Sequence, residues 1–234
     1  GSRKHSLLPH LLRKKQNMKK ISLKSKDQRI WFVSDLHLGH AKDFILNPRN
    51  YTNVDEALAH QWLMLTETIK PEDIVFNLGD AVIGAAERSV EYAKRVVFLP
   101  CKQQYYLWGN HNAGMQQLYD ECRHEIGLLA DDVEIYPLNY PNSPFVFAGH
   151  RIEIFIDGHP VVLDHYPIAS WNHLSKGGYN IHGHCHRNLK EDLTLKRLDV
   201  GWEWLRRPVE WNEIVRELSP RKAKAPDHHG PDIT

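Results

Sequence analysis

Five short clusters in this chain carry side chains that bind metal ions and move protons: Asp35 and His37, Asp80, Asn110 and His111, His165, and the pair His184 and His186. Asp35–His37 and His184–His186 are i, i+2 pairs, and in extended backbone both members of such a pair leave the same face. The set offers carboxylates, an amide oxygen and imidazoles, with no thiolate in a sensible position. That mixture suits manganese, iron or zinc, whereas an all-oxygen shell suits magnesium or calcium. Seven ligands and a spare histidine exceed what one tetrahedral ion accepts. They suit two ions sharing a bridging carboxylate. Histidine is also the compositional outlier, at 16 of 234 residues.

Each cluster follows a stretch that reads as a strand. Ile30-Trp31-Phe32-Val33 is a β-rich apolar run leading into Asp35 and His37. Val54, Leu58, Trp62, Leu65 and Ile69 mark one face of a helix, with a capping-box-like Thr52-x-x-Asp55 before it and Pro71 behind it. Ile74 to Phe76 is a strand delivering Gly79-Asp80, and Gln104 to Trp108 one delivering Gly109-Asn110-His111. Helices are expected from Ala85 to Val96 and from Ala113 to Glu125. Later, Pro137, Pro141 and Pro144 punctuate a loop. Arg151 to Ile156 and Val161 to Asp164 flank Asp157-Gly158, a hairpin signal. A short strand leads into Gly183-His184-Cys185-His186, another spans Leu195 to Val200, and Val209 to Leu218 is a closing helix. Sites in open α/β sheets gather at such strand ends. The interleaving indicates a mixed α/β domain whose sheet is covered by helices.

Composition limits the alternatives. Hydrophobic residues are 41% and charged residues 25%, an ordinary globular balance. No stretch reaches the ~18 apolar residues of a transmembrane helix. Cys101, Cys122 and Cys185 cannot form a fully paired disulfide set, which favours a reducing, cytoplasmic setting. Residues 1–30 hold ten Lys or Arg against one acid, while the rest of the chain carries a net charge of −8. Residues 1–28 therefore read as a basic tail. Gly1-Ser2 looks like a cleavage scar and Met18 a natural start, with an organelle-targeting peptide or a nucleic-acid-binding arm as the functional alternatives. Residues 29–218 form the expected domain, and 219–234 a mobile C-terminal tail.

The order Asp-x-His, Gly-Asp, Gly-Asn-His, a histidine at a strand end and Gly-His-x-His resembles the calcineurin-like metallophosphoesterase family. The motifs run from Asp35 to His186, and the similarity to small bacterial and phage-type members extends to about Leu218. The resemblance implies a β-sandwich flanked by helices on both outer faces, a four-layer α/β/β/α fold. It implies one metal held by Asp35, His37, Asp80 and His186, and a second held by Asp80, Asn110, His165 and His184. Asp80 would bridge them. Two divalent or trivalent transition-metal ions are expected, manganese first, with iron or zinc as alternatives. Ions about 3.5–4 Å apart lower the pKa of a bridging water, and the resulting hydroxide attacks phosphorus. His111 would reach the substrate phosphate and act as general acid. The family commonly has an acid after Gly-Asn-His. Asn112 stands there instead, so His111 is expected to be a weaker acid.

Other residues carry two readings each. His40 is a phosphate contact or a plain loop histidine. Arg49 is a bidentate phosphate clamp or a solvated surface residue. Tyr166 and Trp171 could wall a substrate pocket or belong to the core. His182, Cys185, Trp202, Trp204 and Trp211 are assigned to packing, and His150 and His159 to a hairpin without chemistry. The expected activity is hydrolysis of a phosphomonoester or phosphodiester, a nucleotide or other small phosphoester being favoured, in an open site. The acidic body disfavours duplex DNA. The rivals are a nuclease, for which the basic tail could supply nucleic-acid contacts, and a non-catalytic metal-binding scaffold.

Overall fold

The computed structural model describes residues 21–83, 86–127 and 134–222. Two mixed sheets pack face to face. One has six strands in the order β11-β2-β3-β4-β6-β5: β2 (Ile30–Val33), β3 (Ile74–Asn77), β4 (Gln103–Leu107), β5 (Leu138–Asn139), β6 (Phe145–Gly149) and β11 (Val209–Glu210). Its strands β2, β3, β4 and β6 are parallel, with antiparallel edges at β11 and β5. The other has the order β1-β7-β8-β9-β10: β1 (Ile21–Leu23), β7 (Arg151–Ile156), β8 (His159–Asp164), β9 (Tyr179–His182) and β10 (Arg197–Asp199). Here β8, β9 and β10 run parallel.

Alternation along each strand splits the core in two. Ile30, Phe32, Ile74 and Phe76 face Ile152, Ile154, Val161, Leu163, Tyr179 and Ile181 across the sandwich. Trp31, Val33, Val75, Tyr106, Phe145 and Phe147 face the opposite way, into a second core with helical residues. That cover comes from α2 (Val54–Thr68), α3 (Ala86–Val97) and α4 (Ala113–Glu125), which contribute Leu65, Ala93, Val96, Met115 and Leu118. A four-residue helix, α1 (Asp43–Leu46), precedes them. The last helix, α5 (Trp211–Leu218), sends Trp211, Ile214 and Leu218 into the inter-sheet core. Over the outer face of the five-stranded sheet, Val162 packs with Trp171, Leu174 and Leu195 around a 3-10 turn at Leu174–Lys176. Two mixed sheets packed together with helices are the α/β architecture expected, the described helical cover lying on the six-stranded sheet. Among the described residues no helix is long and apolar enough to cross a membrane.

Several boundaries differ from expectation. Ile21–Leu23 lie inside the expected tail, yet they pair with Ile154–Ile156 as an edge strand, so the folded unit reaches back to residue 21. At the other end Arg221 is buried. It contacts Glu191, Glu217 and the Leu195 and Arg197 carbonyls, extending the fold beyond residue 218. The remainder of both expected tails lies outside the described residues. The cap of α2 falls one residue later than Thr52: Asn53 Oδ1 accepts from Glu56 N at 2.9 Å, and Glu56 reaches back to Thr52 N at 2.7 Å. Val209 and Glu210 are a strand, and Glu210 with Glu213 forms the capping box of α5.

Candidate metal centre

The carboxyl ends of β2, β3, β4, β8, β9 and β10 converge on one spot. The β2–β3 ladder continues past both strands, Asp35 N donating to Gly79 O at 3.1 Å and His37 N to Asp80 O at 2.9 Å. A parallel bridge between Ser34 and Gly201, with Trp202 N donating to Ser34 O at 3.1 Å, joins the two sheets there. The backbone is not extended at the paired ligands, as the i, i+2 reasoning assumed. Asp35, His37, Asp80, His184 and His186 are all left-handed, with φ of 55°, 48°, 52°, 69° and 48°. Such residues cost on the order of 1–3 kcal/mol each and cluster at functional sites. Close approach does the rest. A Cβ on Gly109 would collide with the Asp80 carboxylate, and one on Gly183 with Ser34 Oγ and Asp35 Oδ2.

The seven expected ligands come together. His37 Nε2 lies 3.8 Å from Asp35 Oδ1 and 3.7 Å from Asp80 Oδ2. His165 Nε2 lies 3.6 Å from that same Asp80 oxygen, and His186 Nε2 3.9 Å from Asp35 Oδ1. These separations are too long for hydrogen bonds. They approach the ~3.4 Å between two donors that share a tetrahedral ion at about 2.1 Å. Asp35 Oδ1 and both ring nitrogens of His37 are buried without a hydrogen-bond partner. Asp35 belongs to both compact donor groups, one with His37 and His186 and one with Asp80 and His165.

The second half of the centre has an electronic signature. His165 Nδ1 lies 2.8 Å from Leu78 O, which can only accept, so that nitrogen carries the hydrogen. Burial lowers the pKa of His165, so the ring is neutral and Nε2 presents a lone pair. That lone pair faces Asn110 Oδ1 at 2.9 Å, and His184 Nδ1 lies 2.8 Å from the same oxygen. A cation beside the His165 Nε2 lone pair and the Asn110 oxygen relieves their repulsion. The residues present fit two ions.

Burial pushes Asp35 up to about 7 and His37, which also feels Arg49, down to about 2. His186 behaves differently. Burial opposes its charge, but the Glu203 hydrogen bond and the charges of Glu203 and Asp35 outweigh it and raise its pKa.

His111 is exposed at the mouth, its ring centroid 5.6 Å from that of His37 and its backbone N donating to Asp80 Oδ1 at 2.8 Å. His40 sits at the rim, edge-on to His37 at 5.9 Å. Arg49 does not line the mouth. It is 2% exposed, and its guanidinium donates to Leu36 O, Asp35 O and Glu203 Oε1 at 2.6–2.9 Å. A cation so fully engaged supports the Asp35 backbone from beneath instead of clamping substrate. Tyr166 is half exposed against His184 at 4.6 Å, whereas Trp171 is buried with Nε1 donating to Gly178 O. His159 stacks on Tyr179, away from the centre.

Asn112 departs from its expected part. Its Nδ2 donates to Gly109 O at 2.7 Å, and its Oδ1 accepts from Gly109 N at 3.2 Å and Tyr106 OH at 3.3 Å. The amide braces the Gly109-Asn110-His111 turn. Glu203 is the residue the motifs did not disclose. It accepts from His186 Nδ1 at 2.8 Å, and its only signal in the sequence is an acid two residues after Gly201.

The sequence profile of the calcineurin-like phosphoesterases matches residues 28–234. The chain belongs to the calcineurin-like phosphoesterase family. This phosphoesterase-family chain is 26% identical over 207 residues to the Gene 66 protein of Mycobacterium phage D29, covering 81% of the chain and 96% of that protein. The Gene 66 protein of Mycobacterium phage L5 is 25% identical, with 79% and 91% covered. An uncharacterized protein of Methanocaldococcus jannaschii is 22% identical, with 83% and 94% covered. A crystal structure of a protein of unknown function from Aquifex aeolicus superposes with a TM-score of 0.54 at 20% identity, covering 81% of this chain and 99% of that one, which bears on the fold alone.

Proposed function

We propose that this chain hydrolyses a small phosphomonoester or phosphodiester, nucleotides first among them. Asp35, His37, Asp80 and His186 would hold one transition-metal ion, and Asp80, Asn110, His165 and His184 the other. The observation that carries this reading is Asp80 Oδ2, placed 3.7 Å from His37 Nε2 and 3.6 Å from His165 Nε2, between the two donor groups. Bound there, the ions would supply Lewis-acid charge neutralisation and an activated water. The chain's own part is to fix the geometry and handle a proton. His111, exposed at the mouth, carries a ring nitrogen to the departing ester oxygen and gives it a proton. Removing such a group costs typically ~10²–10⁴ in rate. His40 at the rim, edge-on to His37, would contact the phosphoryl oxygens.

A panel of nucleotides, aryl phosphomonoesters and phosphodiesters, DNA and RNA, assayed with added Mn²⁺, tests the reading. Turnover of small esters, abolished by Asp80→Asn and reduced by His111→Ala most strongly for poor leaving groups, is the expected result. Cleavage of nucleic acid alone would establish the nuclease reading. Metal uptake without turnover of any ester would establish the scaffold. A second reading concerns residues 1–20, which hold seven Lys or Arg and no acid. If they bring nucleic acid to the chain, deleting them abolishes salt-dependent binding and leaves small-ester turnover intact.

A further inference from the structure

His182, Cys185 and Asp199 take no part in the centre described above. His182 ends β9 and Asp199 ends β10, directly opposite it in the parallel register. Cys185 lies between His184 and His186, which serve the two-ion centre, yet its thiol joins this other group. His182 is 2% and Asp199 4% exposed, and Cys185 is half-buried. Their donor atoms lie within 4.8 Å of one another, but no hydrogen bond or ion pair joins them among the described residues.

Two of the three donors are oriented by second partners. His182 Nδ1 lies 2.8 Å from Gly183 O, a pure acceptor, so Nδ1 carries the hydrogen and Nε2 the lone pair. Asp199 Oδ1 accepts from Gly201 N at 2.8 Å and Oδ2 from Arg187 N at 3.0 Å, which fixes the carboxylate and leaves each oxygen a free lone pair. A histidine tied to a backbone carbonyl and a carboxylate tied to backbone N–H groups are how ligands around an ion are usually held.

We propose that His182 Nε2, Cys185 Sγ and an Asp199 carboxylate oxygen hold a third metal ion, a borderline-soft divalent cation such as zinc, with a fourth position left to water. One nitrogen, one sulfur and one oxygen donor suit zinc's tetrahedral preference. On binding, the Cys185 S–H bond breaks, a sulfur–metal bond forms and the proton passes to solvent. The ion would pin the 183–187 loop from behind while His184 and His186 face the other two ions.

Cobalt substitution reads this site alone, because the two-ion centre contains only oxygen and nitrogen donors. Co²⁺ titrated into the full chain under reducing conditions is expected to give a near-ultraviolet thiolate-to-cobalt charge-transfer band. Cys185→Ser and His182→Gln abolish the band, and Cys185→Ser lowers the zinc content by one equivalent per chain. Asp80→Asn leaves the band in place, so loss of phosphoesterase activity and loss of this site are told apart. Cys101 and Cys122 are buried in the helix-facing core. Absence of the band from the unaltered chain, or its survival in Cys185→Ser, overturns the proposal.

Discussion

Glu203 Oε1 receives three donors: His186 Nδ1 at 2.8 Å, Arg49 Nε at 2.7 Å and Arg49 Nη2 at 2.6 Å. Burial pushes its carboxyl upward, but His186 and Arg49 prevail and hold it below the usual range. Glu203 is thus a positioning residue for His186. Glu203→Gln is expected to weaken metal binding by about 10–100-fold, the usual effect of losing a carboxylate behind a ligating histidine. Titration calorimetry with Mn²⁺ checks it, and Glu203→Asp should restore part of the loss. Arg49→Met removes one partner of a pair whose side chains are 2% and 6% exposed. Breaking a buried pair in this way costs about 3–5 kcal/mol, measurable by urea unfolding. Asn112 yields a prediction of opposite sign to the expectation from the motif. Asn112→Asp deletes the donor to Gly109 O and sets a carboxylate against that carbonyl. It is expected to lose about 1–3 kcal/mol of stability, with no gain in turnover of poor leaving groups.

Among the elements, the β7–β8 hairpin has a second duty. Asp157, at φ 51° in its turn, accepts from Ser25 N at 2.9 Å, Ser25 Oγ at 2.6 Å and Trp211 Nε1 at 2.9 Å. One carboxylate clasps the end of β1, the hairpin and the start of α5. Burial alone would raise its pKa, but these bonds prevail and lower it from 3.8. A folded pKa below the unfolded one means the stabilisation is full above the unfolded value and vanishes as pH falls through the folded one. Asp157→Asn, which keeps the left-handed turn, is therefore expected to cost about 1 kcal/mol at neutral pH after allowing for solvent screening. Denaturant midpoints of the two proteins should converge as pH falls through the lowered pKa of Asp157. The hairpin was legible because Asp-Gly is a local signal, and α2 because its apolar spacing is. β1 was not. Three residues amid lysines form a strand only because β7 offers an edge, and no local pattern reports that. That these seven side chains would gather was readable from motif order, whereas Arg49 misled because a lone arginine in a loop does not reveal that Glu203, more than a hundred residues later, will bury it.

At the scale of the molecule, the centre draws on both sheets: β2, β3 and β4 from one, β8, β9 and β10 from the other. Ions that bind only when the two sheets are in place stabilise the folded chain by mass action. Metal at a hundred times its Kd adds about 2.7 kcal/mol. Adding Mn²⁺ should raise the Tm, and excess EDTA should reverse the gain. Asp35→Asn should blunt it, since Asp35 Oδ1 is buried without a hydrogen-bond partner beside His37 and His186. An unchanged Tm would count against any ion in the centre. The Ser34–Gly201 bridge gives this coupling a mechanical form. It is a stitch at the lip of the sandwich, so the spacing of the layers sets how far the proposed donors of one sheet stand from those of the other. Cutting it would act as a wedge. Each proposed cage takes donors from both layers, so chains with a loosened seam should release both cations together, and metal loss would become a gauge of how tightly the layers are shut.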